Sequence, residues 1–253
     1  MAVRKLSEFE VMFDTVVRGY SLMGETNGER WLMSLVRPGA TVFDVGFHEG
    51  RWTADLLNAV SDAKVHAFDP SRTAASAYHR RFSGDERVTF SNVALSSEGG
   101  SATLHDYDTM CSSLADRKET SCKCESAYSV EVETIDEYSK RRNIKRIDLL
   151  KIDAEGYDLH VLEGAFRSLK NERVDLASFE FGSGWTATRH YLWEAVEFFD
   201  PLPYSLFRLF NGFLVPLRYD VTIDSCTTRP AMYVAVSKSR VATGDIPIRD
   251  YRF

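Results

Sequence analysis

The sequence predicts an α/β fold with a mostly parallel sheet and helices on both faces. Strand-like and helix-like stretches alternate from residue 40 onward, which is the pattern of such folds. The length of 253 residues suits one domain of generous size. No internal repeat or low-complexity tract breaks the pattern.

The elements follow in order. Leu6, Phe9, Phe13, Val16 and Tyr20 recur at helical spacing and predict an amphipathic helix over residues 7–20. Ser7 with Glu10 fits a capping box at its start. A polar loop at residues 24–28 leads to a short helix from Arg30 to Val36, which ends at Arg37-Pro38-Gly39. Residues 1–39 therefore read as a helical cap, residues 40–240 as the main domain and residues 241–253 as a peripheral tail. In the main domain, strands are expected at Thr41–Val45, Lys64–Phe68 and Val88–Leu95, with helices at Arg51–Val60 and Ser71–Phe82. Residues 96–133 alternate only briefly, at Ala102–His105 and Tyr128–Val132, and predict a hairpin-like excursion near the active face. Parallel order resumes with a strand at Ile147–Asp153. A helix presenting Leu159, Leu162, Phe166 and Leu169 on one face follows, then a strand at Asp175–Phe181. Ser205–Phe210 and Ala231–Val236 read as a closing hairpin.

Composition excludes several classes. Hydrophobic residues make up 44% and charged residues 27%, which argues against disorder, collagen or a coiled coil. No apolar run reaches the length of a membrane span. The first residues, MAVRKLSEFEVMFD, put acids where a signal peptide needs its apolar stretch, so a cytoplasmic location is expected. A net charge of -6 gives no general attraction for nucleic acid or anionic lipid. One local exception runs from Lys140 to Arg146. It reads as a solvated helix end before a buried strand, or as a patch for an anionic substrate. Cys111, Cys122, Cys124 and Cys226 have neither zinc-site spacing nor the density of a disulfide scaffold, so free thiols are expected.

The chemistry sits at the ends of the expected strands. The first strand runs into Asp44-Val45-Gly46-Phe47-His48-Glu49-Gly50. A dinucleotide fingerprint counted from Gly46 fails, because His48 and Arg51 occupy its second and third glycine positions. A methyltransferase loop, acid-x-G-x-G-x-G, is met by Asp44, Gly46 and Gly50, with His48 the departure. An acid on that strand favours the cationic sulfonium of S-adenosylmethionine. Asp69, at the end of the second strand, can accept hydrogen bonds from ribose hydroxyls or cap the helix near Ser71. Asn92 and Ala94 stand where small groups and amides border an adenine. Asp153 and Glu155 end the strand that carries Lys151, an ammonium that must find a partner in an apolar strand.

Through these motifs the chain resembles the FkbM family of S-adenosylmethionine-dependent methyltransferases. The signature is LLKIDAEGYDLHVLEGA, from Leu149 to Ala165. VFDVGFHEGRWT, AFDP, NVALS, Ser112-Ser113-Leu114 and VETIDEY join it in family order, over about residues 40–180. His48 stands where the family commonly has asparagine, and the chain after Phe181 resembles the family loosely. The resemblance implies a class I methyltransferase (Rossmann-like) fold and O-methylation of a sugar or natural product.

On this reading Asp44, Gly46, His48, Gly50, Asp69, Asn92, Ala94 and Asp153 hold S-adenosylmethionine. Asp153 is the first candidate for the base at the acceptor hydroxyl, followed by Glu155 or Glu180 and, more distantly, His190. The expected acceptor is a small molecule or glycan, not a nucleic acid. A NAD-dependent oxidoreductase fits less well because the glycine fingerprint fails. A binding protein that kept the fold and lost transfer is the other alternative. Asp153, Glu155 and Glu180 are able to hold a divalent ion, but strand-end acids are common in such folds and no metal is assigned.

Overall fold

A computed structural model of the chain describes residues 28–107, 112–117, 123–224 and 230–250. The helix expected over residues 7–20 lies outside them, as do Cys111, Cys122 and Cys226. The first described element is α1 (Glu29–Met33), followed by β1 (Thr41–Val45), α2 (Arg51–Ala59), β2 (Lys64–Phe68), α3 (Arg72–Phe82) and β3 (Val88–Ser91). Next come β4 (Ala94–Leu95), β5 (Gly100–Tyr107), β6 (Cys124–Glu133), α4 (Ile135–Arg141) and β7 (Ile147–Ile152). Then follow α5 (Asp158–Glu163), α6 (Phe166–Lys170), β8 (Val174–Phe181), α7 (Gly184–Thr188) and α8 (Leu192–Phe199). The chain closes with β9 (Tyr204–Phe210), β10 (Phe213–Pro216), α9 (Val221–Asp224), β11 (Ala231–Ser237) and α10 (Lys238–Val241).

The main sheet runs β10-β9-β11-β8-β7-β1-β2-β3. β3, β2, β1, β7 and β8 are parallel; β11, β9 and β10 are antiparallel. The order reverses between β1 and β7, which makes their carboxyl ends the crevice of the fold. Successive residues of the central strands feed two cores. Phe43, Leu150 and Phe179 pack with Tyr138, Leu162, Leu169 and Phe199 on one face. Val42, Leu149 and Leu176 pack with Leu32, Leu56, Ala77 and Phe82 on the other. Both faces of these strands are therefore covered by helices, as parallel strands require.

Four sequence expectations are corrected. The strand expected at Val88–Leu95 is two. β3 joins the main sheet, while β4 pairs with β6 in a three-stranded sheet β4-β6-β5. Asn92 causes the break, because its Nδ2 donates to the carbonyls of Asp69 (2.8 Å) and Ser71 (3.2 Å) and turns the chain away. The excursion is thus a hairpin, β5 on β6, over a register from Gly100↔Val132 to Tyr107↔Cys124.

The single helix expected after β7 is also two. The Gly164 carbonyl leaves the helical ladder and accepts from Asp136 N (3.0 Å), so Phe166 turns outward and is 41% exposed. The closing hairpin is not β9 with β11. β9 turns through Asn211-Gly212 into β10, with Gly212 at φ 96°, and β11 inserts between β8 and β9. Finally, the tail is tied down in part. Ile246 is buried in the second core, and Arg249 N donates to Leu214 O (2.9 Å).

Gly164 seats the helical layer against the small sheet, since a Cβ there would stand 2.1 Å from Ser96 O. Gly84 has open space but sits at φ +85°. We expect Gly164→Ala to cost about 1–3 kcal/mol through overpacking and Gly84→Ala about 1–2 kcal/mol through backbone conformation alone. Urea unfolding of both variants measures this; a neutral Gly164→Ala would remove the contact argument.

Candidate active site

The site begins with the crossing of two loops. β1 ends at Gly46, whose φ is +82°, and a Cβ on it would lie 2.0 Å from the carbonyl oxygen of Asp153. Only glycine allows the loop after β1 to pass the loop after β7 this closely. Backbone bonds fix the crossing: Gly46 N donates to Phe68 O (2.9 Å) and Asp153 N to Val45 O (3.0 Å). The ends of β1, β2 and β7 are thereby stitched into one floor.

Lys151 locks that floor from beneath. It faces Asp44 in the β1–β7 register, and its Nζ stands 3.3 Å from Asp44 Oδ1 and 3.5 Å from Asp153 Oδ2. The same Nζ donates to the Gly46 carbonyl (3.3 Å), and Thr53 Oγ1 donates to Asp44 Oδ2 (2.6 Å). Burial opposes charge on Lys151, but the carboxylates of Asp44 and Asp153 outweigh it and hold the ammonium above its ordinary pKa. Burial raises the Asp44 carboxyl, and Lys151 pulls it the other way.

Above the floor lies a cavity of about 310 Å3. Gly46, His48, Asp69, Ala94 and Asp153 line it, with apolar walls from Val45, Phe68, Val93, Leu95, Leu104 and Leu114. That size and mix suit a small-molecule cofactor. Asp69 is positioned from both sides, since His48 N donates to Oδ2 (2.8 Å) and Ser71 N to Oδ1 (2.8 Å). Ser71 itself caps α3 by accepting from Ala74 N (3.1 Å). Asp69 thus braces the turn before the helix, with Ser71 as the cap.

A second, smaller cavity of about 50 Å3 opens on the far side of Asp153 and Glu155. Asp158, Glu180 and Arg117 complete its charged lining. Arg117 Nη1 pairs with Glu155 Oε2 (2.8 Å), and Ser113 Oγ donates to Glu155 O (2.9 Å). The excursion therefore clasps the loop after β7. Burial raises Asp158 to about 7, with Asp153 adding to the rise. Burial, then the charges of Asp153, Asp158 and Glu155, raise Glu180 to about 9. Both positive-φ residues at the site other than glycine, His48 (51°) and Glu155 (51°), belong to these two loops, where backbone strain is held by the crossing.

The structure brings together Gly46, His48, Asp69, Ala94, Asp153, Glu155 and Glu180 at the two cavities. It does not bring Asp44, Gly50, Asn92 or His190 to either lining. Asp44 is wholly buried and faces Lys151 and Thr53, so it fixes the floor from below. Gly50 is required because it sits at φ +70° with Phe47 and Phe82 packed where a Cβ would go. Asn92 spends its amide on the loop that presents Asp69. His190 Nδ1 meets Glu194 Oε1 (2.9 Å) at the start of α8. Asp158 and Arg117 are additions to the sequence-predicted set. Asp158 reads in sequence as a helix residue, and Arg117 carries no local signal at all. Among the described residues no group of histidine, cysteine and acidic side chains has metal-binding geometry.

A family model described as "Methyltransferase FkbM domain" matches residues 44–205. A search of curated proteins gives no match. Among solved structures, an rRNA methylase from Streptococcus thermophilus is 14% identical, with a TM-score of 0.45 over 83% of this chain and 93% of that one. A SAM-dependent O-methyltransferase from Thermotoga maritima is 16% identical, with a TM-score of 0.44 over 90% of this chain and 69% of that one. A precorrin-6y C5,15-methyltransferase from Geobacter metallireducens is 10% identical, with a TM-score of 0.46 over 87% and 90%. The sheet is Rossmann-like, and the family match over more than half of the chain makes the protein a methyltransferase. The chain belongs to the FkbM methyltransferase family, and its cofactor is S-adenosylmethionine.

Two outcomes test the electrostatics. Lys151→Met leaves Asp44 buried without its cation and is expected to cost about 3–5 kcal/mol. The double variant with Asp44→Asn should recover part of that loss, and a mutant cycle by thermal unfolding reads it. The second outcome concerns pH. Asp158, ordinarily near 3.8, holds its proton to about 7 in the fold. Between those values the folded state binds more protons than the unfolded chain, so stability falls as pH rises through the window. Asp158→Asn should flatten that fall, which is on the order of a few kcal/mol. Unchanged slopes in the variant would show that another group sets them.

Proposed function

We propose that this methyltransferase transfers its methyl group to a hydroxyl of a sugar, a glycan or another polyhydroxylated natural product. The acidic cavity beside Asp153 carries this reading. Asp153, Glu155, Asp158 and Glu180 line it. Carboxyl groups exchange hydrogen bonds with neutral hydroxyls, and a site with four acids against the one cation Arg117 does not favour a phosphate, which supports a glycan or small molecule over a nucleic acid. The net charge of -6 supports it too.

S-adenosylmethionine, when bound, supplies a methyl group on a positively charged sulfur. The residues of the larger cavity fit it. Gly46 lets the loops after β1 and β7 cross and so closes the cavity's floor, Asp69 offers an acid for ribose hydroxyls, and Asp153 sets a carboxylate beside a cation. Of the candidate bases, Asp153 and Glu155 line both cavities. Glu155 is engaged by Arg117. Asp153 is therefore the group to orient the acceptor hydroxyl and take its proton, and Lys151, 3.5 Å away, supports its negative charge. Glu180 holds a proton at neutral pH and donates a hydrogen bond to the acceptor, which fixes its approach.

No helix of the described residues is long and apolar enough to cross a membrane. Among the described residues Cys124 is exposed and forms no disulfide, which fits a reducing compartment such as the cytoplasm.

Three measurements test this reading. Asp69→Ala should weaken cofactor binding by about one to two decades in calorimetry. Asp153→Asn should lower turnover by about 10²–10⁴-fold and cofactor affinity by much less; a loss of affinity in proportion to activity would move Asp153 to cofactor binding alone. Near-normal turnover in Asp153→Asn would make the carboxylate structural. Labelled S-adenosylmethionine should mark glycans or small polyols; label on RNA alone would overturn the acceptor class.

A further inference from the structure

At the opposite end of β7 and β8 from the site lies another cavity, of about 380 Å3. β7 has six residues, so it spans on the order of 20 Å, and this cavity is separate from the crevice. Its wall comes from the end of α4, the loop before β7, α6 and the loop before β8. Lys140, Lys145, Arg167 and Arg173 ring it, against one carboxylate, Asp136. That carboxylate is already used: it accepts from Arg167 N (2.8 Å), Ser168 N (2.9 Å) and Ser168 Oγ (2.6 Å). Lys140, Lys145 and Arg173 form no ion pair among the described residues. Asn143 adds an amide to the lining, while Asn171 donates from Nδ2 to Arg167 O (2.6 Å).

One further observation points to a ligand. Ser139 lines this cavity and is 6% exposed, yet its Oγ has no hydrogen-bond partner in the fold. A buried hydroxyl without a partner is costly, and rotation about its Cα–Cβ bond can offer the proton to the cavity. Three unpaired cations, a spare hydroxyl and the Asn143 amide around one small space are the donor set for a compact oxyanion, beside Arg167, whose Nε pairs with Asp136 (3.4 Å). Arg141 and Arg146 of the same basic run are already paired, with Glu133 and with Asp148 and Asp175, so the cations left over gather at this cavity, and a single anionic group fits them better than a polymer backbone.

We propose that this cavity is a second binding site, for a phosphate or sulfate group carried by a small molecule. It is independent of the acceptor proposed above. Inorganic phosphate is titrated calorimetrically into the full chain at constant ionic strength, with chloride as the reference. Saturable binding is expected, unaffected by excess S-adenosylhomocysteine. Lys145→Ala/Arg173→Ala should weaken it roughly tenfold or more per cation removed. Ser139→Ala should leave the thermal midpoint without phosphate unchanged or higher, and lose most of the shift that phosphate produces. A sugar phosphate binding more tightly than inorganic phosphate, and lost in the same variants, supports an organic carrier. Equal affinities support the free anion. No saturable binding, binding retained in both variants, displacement by S-adenosylhomocysteine, or binding of an RNA oligonucleotide without phosphate binding would each overturn the proposal.

Discussion

Lys151 carries its charge into the seam between β1 and β7, where Asp44 stands 3.3 Å away and Asp153 3.5 Å away. Its side chain is almost wholly buried, and so is Asp44. An isolated ammonium in that position would be strongly disfavoured, and so would the Asp44 carboxylate without it. Lys151 and Asp44 are therefore obligatory to one another, while Asp153, its side chain 44% exposed, joins the pair from the cavity side. Through the Gly46 carbonyl, the same ammonium also holds the start of the loop after β1. The two loops that bound the crevice thus share one electrostatic anchor and one steric one, the missing side chain of Gly46.

This anchor explains why the site divides as it does. Asp153 leaves the seam at the point where both cavities meet, and its carboxylate lies between the larger space and the acidic one. Just beyond it, Glu155 is held in a left-handed conformation (φ 51°). Gly156 follows at φ +99°, where a Cβ would lie 2.3 Å from Gly184 O. The loops after β7 and β8 touch through their backbones, and that contact brings Glu180 and Asp158 into one small volume. Their raised pKa values follow from crowding several carboxyls where water is largely excluded. The excursion adds a wall that the Rossmann-like frame lacks, because Ser113 and Arg117 both bind Glu155.

Most elements were legible because each is a local pattern. The buried strands at Thr41–Val45, Lys64–Phe68 and Ile147–Ile152 show as short apolar runs, and α3 shows its Ser71 cap. Errors fell where long-range contacts override local pattern. The apolar run Val88–Leu95 continues through Asn92, yet the Asn92 amide is drawn to Asp69 and Ser71. The helical spacing of Leu159 to Leu169 continues through Gly164, yet Ser96 and Asp136 meet that glycine from elsewhere in the chain. Asn211-Gly212 was a readable turn signal for the β9–β10 hairpin.

By itself the sequence determined the α/β class, the strand-end positions of Asp69, Asp153 and Glu155, and the family through the run from Leu149 to Ala165. Those features depend on residue type and spacing along the chain. Tertiary structure alone decided that Asp44 serves Lys151 beneath the floor, while Asp69 and Asp153 face the cavity. It alone gathered Asp153, Glu155, Asp158 and Glu180 around one space with Arg117. The reason is physical. A carboxylate's role is set by what surrounds it, whether an ammonium, another acid or an open cavity, and those neighbours come from strands far apart in the chain.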